Sequence, residues 1–204
     1  MKKLILASNN AHKIKEIKEI LKDFNLEILS LKDAEIDIDV EEDGNTFEEN
    51  SFKKANEIRK YLLEKGERDF FVMADDSGLE VDYLKGAPGI YSARYAGEHG
   101  NDLKNNEKLL EELKGVKKEE RGANFTCVIV LVTDKGEKIV ACGKSYGIIL
   151  EELDGEGGFG YDPLFFVPEY NNTFAKMSSE EKNSISHRGR ALEKLKEELK
   201  TIVK

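Results

Sequence analysis

Two rhythms of apolar residues alternate along the chain. Short continuous runs, "KLILAS" from Lys3, "LEILSL" from Leu26 and "FFVMA" from Phe70, have the length and content of buried strands. Between them apolar residues recur every three or four positions. Ile14, Ile17, Ile20 and Leu21 form one such stripe, and Ala55, Ile58 and Leu62 form another, so each predicts a helix packed by one face. Thr46 with Glu49 three residues later predicts a capping box at the start of the second helix. Asp102 predicts the cap of a third, bearing Leu103, Leu109, Leu110 and Leu113. The stretch "NFTCVIVLVTDKGEKIVACGKSYGIIL" predicts two long strands around the turn Asp134-Lys135-Gly136. The first of them is apolar on both faces and so belongs in the middle of its sheet. Ser178 and Glu181 predict another capping box, and Leu192, Leu195 and Leu199 give the final helix its core face. Helices interleaved with strands, plus a long hairpin, predict an α/β fold with a mixed sheet in a single domain over residues 1–204.

Composition narrows the setting. Apolar residues make up 39% and charged residues 36%, which is globular and not disordered. The net charge of −9 lacks the broad basic footprint of a nucleic-acid binder, but leaves room for a small anion held locally. No apolar run is long enough to span a bilayer, and the apolar part of the N-terminus, Leu4 to Ala7, is too short for a signal peptide. Cys127 and Cys142 are too few for a secreted disulfide framework; they lie on either side of the expected hairpin, which allows a cross-strand bridge, and fit better as reduced thiols in a cytoplasmic protein.

Four loops carry polar residues that a core does not need. In "FFVMADDSGLEV" the apolar run ends in Asp75 and Asp76, followed by Ser77 and Gly78. That reads as a strand stopping at a turn, with two carboxylates that repel each other unless a cation sits between them. Together with Glu41, Glu42 and Asp43, these oxygen donors suit a hard ion such as Mg²⁺. Taken singly, each residue from Glu41 to Asp43 reads as well as part of a solvated loop. The loop "SNNAHK", Ser8 to Lys13, precedes a helix whose N–H groups favour an anion, and it reads equally as an Asn-rich cap. "GGFGYDP" lets backbone approach a ligand and offers Phe159 or Tyr161 as a flat face, or else is a tight turn with Phe159 in the core. "KNSISHRGR" puts His187 and Arg188 at a helix start, where positive charge opposes the dipole, and so points to an anionic or carbonyl-rich ligand. The four loops together fit a ligand with phosphates at one end and a ring at the other.

In this order, "LASNNAHKIKEI", "EEDGNTFEEN", "ADDSGLEVDYLKGAPGIYSARYAG", "GGFGYDPLFF" and "EEKNSISHRGRAL" resemble the inosine triphosphate pyrophosphatase family, in its bacterial branch acting on dITP and XTP. The one departure is Asn9, where the family usually has Gly. The resemblance implies an elongated α/β fold of two lobes on a long central mixed sheet flanked by helices, an active site in the cleft between them, and a homodimer. It implies Mg²⁺-dependent cleavage of non-standard purine nucleoside triphosphates to monophosphate and pyrophosphate, cleansing the nucleotide pool. Carried over, Ser8, Asn9, Asn10, Ala11, His12 and Lys13 hold phosphates with Lys54, to which Lys53 is adjacent. Glu41 and Asp76 bind the metal. Asp76 is also the base that activates water, Asp75 supports it, and Ser77 contacts substrate. Phe159 stacks on the base, Gly160, Tyr161 and Asp162 shape its pocket, and Lys182, His187 and Arg188 read its edge.

Three rivals give different expectations. A nucleotide sensor on the same fold would bind without turnover, and pyrophosphate release separates the two. A haloacid-dehalogenase-type phosphatase needs two Asp one residue apart after the first strand, which "LILASNN" lacks. A relative acting on pyrimidine or methylated nucleotides is told apart by a substrate panel.

Overall fold

The structure is a computed structural model and describes residues 1–203. Strand β1 (Lys2–Leu6) runs parallel to both of its neighbours, β2 (Leu26–Ser30) and β3 (Phe70–Val81). Leu4 stands opposite Ile28 on one side and Phe71 on the other. Beyond β3 come β4 (Gly122–Thr133), β5 (Lys138–Ile149), β6 (Phe165–Val167) and β7 (Asn172–Thr173), the last three pairing antiparallel. The seven-stranded sheet therefore has the order β2-β1-β3-β4-β5-β6-β7 and is mixed, as the sequence predicts. The doubly apolar strand β4 occupies the middle. The helices are α1 (Ala11–Ile20), α2 (Phe47–Glu64), α3 (Asp102–Glu112), α4 (Ser179–Ile185) and α5 (His187–Ile202).

The chain forms two compact units. The first comprises Met1–Asp76, Cys127–Gly143 and the chain from Arg188 onward; the second comprises Ser77–Thr126 and Lys144–His187. In the first unit the strand pleat sorts side chains by parity. Leu4, Leu6, Phe71, Met73, Ile129 and Leu131 share a cluster with Ile17 of α1, Leu21 at its C-cap and Leu192, Leu195 and Leu199 of α5. The alternate residues Ile5, Ala7, Val72, Ala74, Val130 and Val132 pack against Ala55, Ile58 and Leu62 of α2. In the second unit Leu79, Val81, Phe125 and Phe165 pack with Leu109 of α3 and Leu113 at its C-cap, with Phe174 and with Ile185.

Several local expectations change. β3 does not stop at Ala74: it continues as strand through Asp75, Asp76, Ser77 and Gly78 to Val81. Thr46 caps α2, accepting from the Glu49 N–H at 3.1 Å, but the Glu49 carboxylate reaches Asn45 N at 2.7 Å, so the reciprocal half of the box falls one residue early. Asn101, not Asp102, caps α3, and Asp102 is the helix's first residue. The Ser178–Glu181 box is complete, but the segment it starts is the short α4; extended backbone at Ser186 separates it from α5. Cys127 and Cys142 are free thiols. Among the described residues no helix is long and apolar enough to cross a membrane.

Candidate active site

Because β3 continues, Asp75 and Asp76 project to opposite faces of the sheet. Each meets a different environment. Asp75 has the parity of Phe71 and Met73 and faces the side of α1 and α5. Its Oδ2 lies 3.0 Å from Lys13 Nζ and 3.2 Å from Arg188 Nη2. Burial pushes its pKa up, but the charges of Lys13, Arg188 and Lys54 outweigh that and hold the carboxyl well below the usual carboxylate range. Asp76 has the parity of Val72 and Ala74 and faces α2. Its Oδ2 accepts from Asn50 Nδ2 at 2.9 Å. Burial raises its pKa and the nearby charge of Glu42 adds to the rise, against the opposing charges of Lys54 and Lys13. One carboxylate is thus locked as an anion, while its neighbour is tuned to take up a proton.

The cations around the pair are held by several contacts. Lys54 Nζ donates to the Asp75 carbonyl and to Glu42 Oε1, both at 2.7 Å. Burial works against its charge, but Glu42, Asp76 and Asp75 keep its pKa raised. Lys53, the neighbour considered in the sequence, instead pairs with Asp43 at 2.7 Å. Glu41 is exposed, whereas Glu42 is half-buried against Lys54 and its charge reaches Asp76. The carboxylate from the acidic loop that the structure brings to the pair is therefore Glu42. Arg188 is almost fully buried and spans Asp75 and Glu16, with Nη1 2.5 Å from Glu16 Oε2. Its guanidinium lies between these two carboxylates.

The loop from Ser8 to Lys13 is chiefly a helix cap. Asn10 Oδ1 accepts from the N–H groups of His12 and Lys13 at 3.0 and 3.2 Å, and Ser8 Oγ accepts from Asn10 N. The amides of Asn10, His12 and Lys13 are thus engaged within the loop itself. Asn9, Ala11 and His12 are exposed.

The second unit holds the aromatic set. Asp162 Oδ2 accepts from Phe159 N at 2.8 Å and from Lys182 Nζ at 2.7 Å. Lys182 Nζ also lies 4.5 Å from the centre of the Phe159 ring. Phe159 is half-buried, and Gly160 is gripped by α3, its N–H donating to Asp102 and its carbonyl accepting from Asn106. Tyr161 is buried and donates its hydroxyl to the Ser92 carbonyl, so it shapes the loop and offers no open face. His187 is buried with its ring stacked on Phe125, centroids 4.7 Å apart. Ser77 is half-buried on β3. Asn50, Glu42 and Glu16 carry the parts of the site that sequence reasoning did not assign. Asn50 had a signal, since it lies one turn before Lys54 on the same helix face. Glu16 had none, because its partner is 172 residues away.

A buried carboxylate of raised pKa beside a lysine and a second carboxylate, on an α/β scaffold, defines the class: an enzyme equipped for acid–base chemistry near anionic oxygen. Residues 4–198 match the Ham1 family, and the chain belongs to that family. It is 83% identical to the dITP/XTP pyrophosphatase of Clostridium perfringens, with 100% of both chains covered. It is 52% identical to the protein of the same name from Clostridium tetani, over 100% of this chain and 98% of that one. The solved structure of the Staphylococcus aureus Ham1 protein superposes with a TM-score of 0.85 at 44% identity, covering 98% of this chain and 99% of the other.

Proposed function

We infer that this chain hydrolyses dITP, XTP and related non-standard purine nucleoside triphosphates to the monophosphate and pyrophosphate, removing deaminated purines from the nucleotide pool. The observation that carries the reading is Asp76, a buried carboxylate with a raised pKa next to Glu42 and Lys54. The names of relatives matched over the whole chain support the same substrate class.

In this reading Asp76 accepts a proton from the water that attacks the α-phosphorus, and pyrophosphate leaves. Lys54 supplies positive charge toward the phosphates, with the exposed part of the loop from Ser8 to Lys13. Asp75 acts indirectly, by fixing Lys13 and Arg188. Asp76 and Glu42, rather than Glu41, would hold a divalent cation. The donor chemistry fits Mg²⁺, since both are hard oxygen ligands. The remaining positions would fall to water and phosphate oxygens, as is usual for Mg²⁺ in nucleotide enzymes. When bound, the ion would neutralise charge developing on the phosphates. In the second unit Phe159 stacks on the base and Lys182, steadied by Asp162, donates to the 6-oxo group. Adenine presents an amine there, so a donor at that place faces another donor. The reading includes a homodimer and a cytoplasmic setting, where the nucleotide pool lies.

The test is a panel of dITP, XTP, dGTP, dATP and pyrimidine triphosphates with Mg²⁺, scoring pyrophosphate and orthophosphate separately. Pyrophosphate from dITP and XTP, well above the rest, is expected. Orthophosphate as primary product rejects the reaction, binding without turnover supports a sensor, and a pyrimidine preference rejects the substrate class.

A further inference from the structure

Asn50 sits in the first turns of α2 and is completely buried. Its amide makes two contacts that fix each other. Oδ1 accepts from the Gly44 N–H at 2.8 Å, and Nδ2 donates to Asp76 Oδ2 at 2.9 Å. A backbone N–H demands an oxygen, so the amide has one permitted orientation. Turned over, it would set NH₂ against N–H and its oxygen against a carboxylate. The next residue, Ser51, ties α2 to the sheet through a 2.8 Å bond to the Val128 carbonyl. The donor aimed at Asp76 is therefore held from both ends.

Gly44 shows how tightly. Its backbone is outside the left-handed region, so any residue would suit its conformation. A β-carbon there would stand 2.7 Å from Asn50 Oδ1 and 2.8 Å from Glu49 Cβ, closer than real contacts allow. Gly44 also ends the acidic run Glu41-Glu42-Asp43. One amide thus joins the loop that carries Glu42 to the carboxylate on β3.

We propose that Asn50 is a positioning residue: clamped by the Gly44 N–H, it sets the direction of the Asp76 carboxylate and the distance of the Glu42 loop from it. The proposal rests on Asp76 being the base, as argued above. A carboxylate that must face both a water and a substrate phosphate gains from a fixed rotamer, and losing the group that fixes such a carboxylate typically costs 10- to 100-fold.

Three variants test it: Asn50→Ala, which removes both contacts; Asn50→Asp, which keeps an acceptor for Gly44 but faces Asp76 with like charge; and Gly44→Ala, which pushes on the amide from the loop. Each is measured for kcat and KM on dITP, for thermal unfolding, and for the Asp76 rotamer in a metal-free crystal structure. The expected result is kcat lowered by roughly 10- to 100-fold with KM changed by less than about threefold, and a turned or split Asp76 rotamer in folded protein. The double variant Gly44→Ala/Asn50→Ala should be no slower than Asn50→Ala alone. Wild-type kcat in Asn50→Ala, an unmoved Asp76, or additive losses in the double variant would overturn the proposal. If Asn50→Ala does not fold, Asn50→Asp and Gly44→Ala carry the same two readouts. A wild-type protein that releases no pyrophosphate from dITP would sink the assigned reaction instead, and the Asp76 rotamer would still decide the role of Asn50.

Discussion

Asp75 and Asp76 should respond in opposite ways to losing their charge. The Asp75 carboxyl is held low despite its burial, by Lys13, Arg188 and Lys54. Its ionised form therefore stabilises the fold above the unfolded pKa of about 3.9, and that contribution is lost as pH falls through the folded value. Asp75→Asn removes the buried anion that Lys13 and Arg188 share, and should cost about 3–5 kcal/mol near neutral pH. Asp76 is the reverse case. Burial, with Glu42 adding, raises its pKa, so ionising it opposes folding above that pKa and has no effect below the unfolded value. Asp76→Asn should leave the metal-free protein as stable as wild type or more so near neutral pH, with the advantage shrinking as pH falls toward about 4. Denaturant unfolding of both variants across that range reads the signs; equal losses in the two would contradict the split. Arg188, paired with Asp75 and Glu16, belongs to the same account. Arg188→Ala should lower stability by a similar 3–5 kcal/mol or so, and should lower turnover of dITP and dATP by the same factor. A loss confined to dITP would return Arg188 to the base.

The elements show which parts of the site could be read from sequence. Apolar stripes and runs gave α1, α2 and β1 to β5, because burial on one face leaves a periodic trace in the chain. The strand that mattered most was misread at its end. Asp, Ser and Gly are turn formers by local preference, yet β3 runs through them, past Met73 where its register with β1 ends and on beside β4, so tertiary pairing overrides propensity. That one error hid the parity that sends Asp75 and Asp76 to opposite faces, and with it the separate partners of each. Contacts such as Arg188 with Glu16 leave no local pattern to find. The Gly-rich loop stood out in composition, though its wiring did not. Gly158 has φ +74°, and a β-carbon there would lie 2.1 Å from Asp162 Oδ2, the atom that receives both Phe159 N–H and Lys182. Gly158→Ala should therefore loosen Lys182 without touching it. The preference for dITP over dATP should narrow by roughly 10-fold while the fold survives. An unchanged ratio of kcat/KM values would mean that Lys182 does not read the 6-position.

Each compact unit carries its own polar cluster: the first holds Asp75, Asp76 and the cations around them, and the second holds Phe159, Lys182 and Asp162, which we propose for phosphate and for base respectively. Both are encoded by interrupted segments of the chain, so neither unit rests on one contiguous motif. The central claim is that Asp76 activates the attacking water and that Asp75 does not. It is tested most directly by turnover of dITP in ¹⁸O-labelled water with Mg²⁺, comparing wild type with Asp76→Asn. The account predicts pyrophosphate as the product, label only in the monophosphate, and a rate for Asp76→Asn lower by about 10²-fold or more in a protein that remains folded. Label in pyrophosphate, or a rate for Asp76→Asn close to wild type, would contradict it.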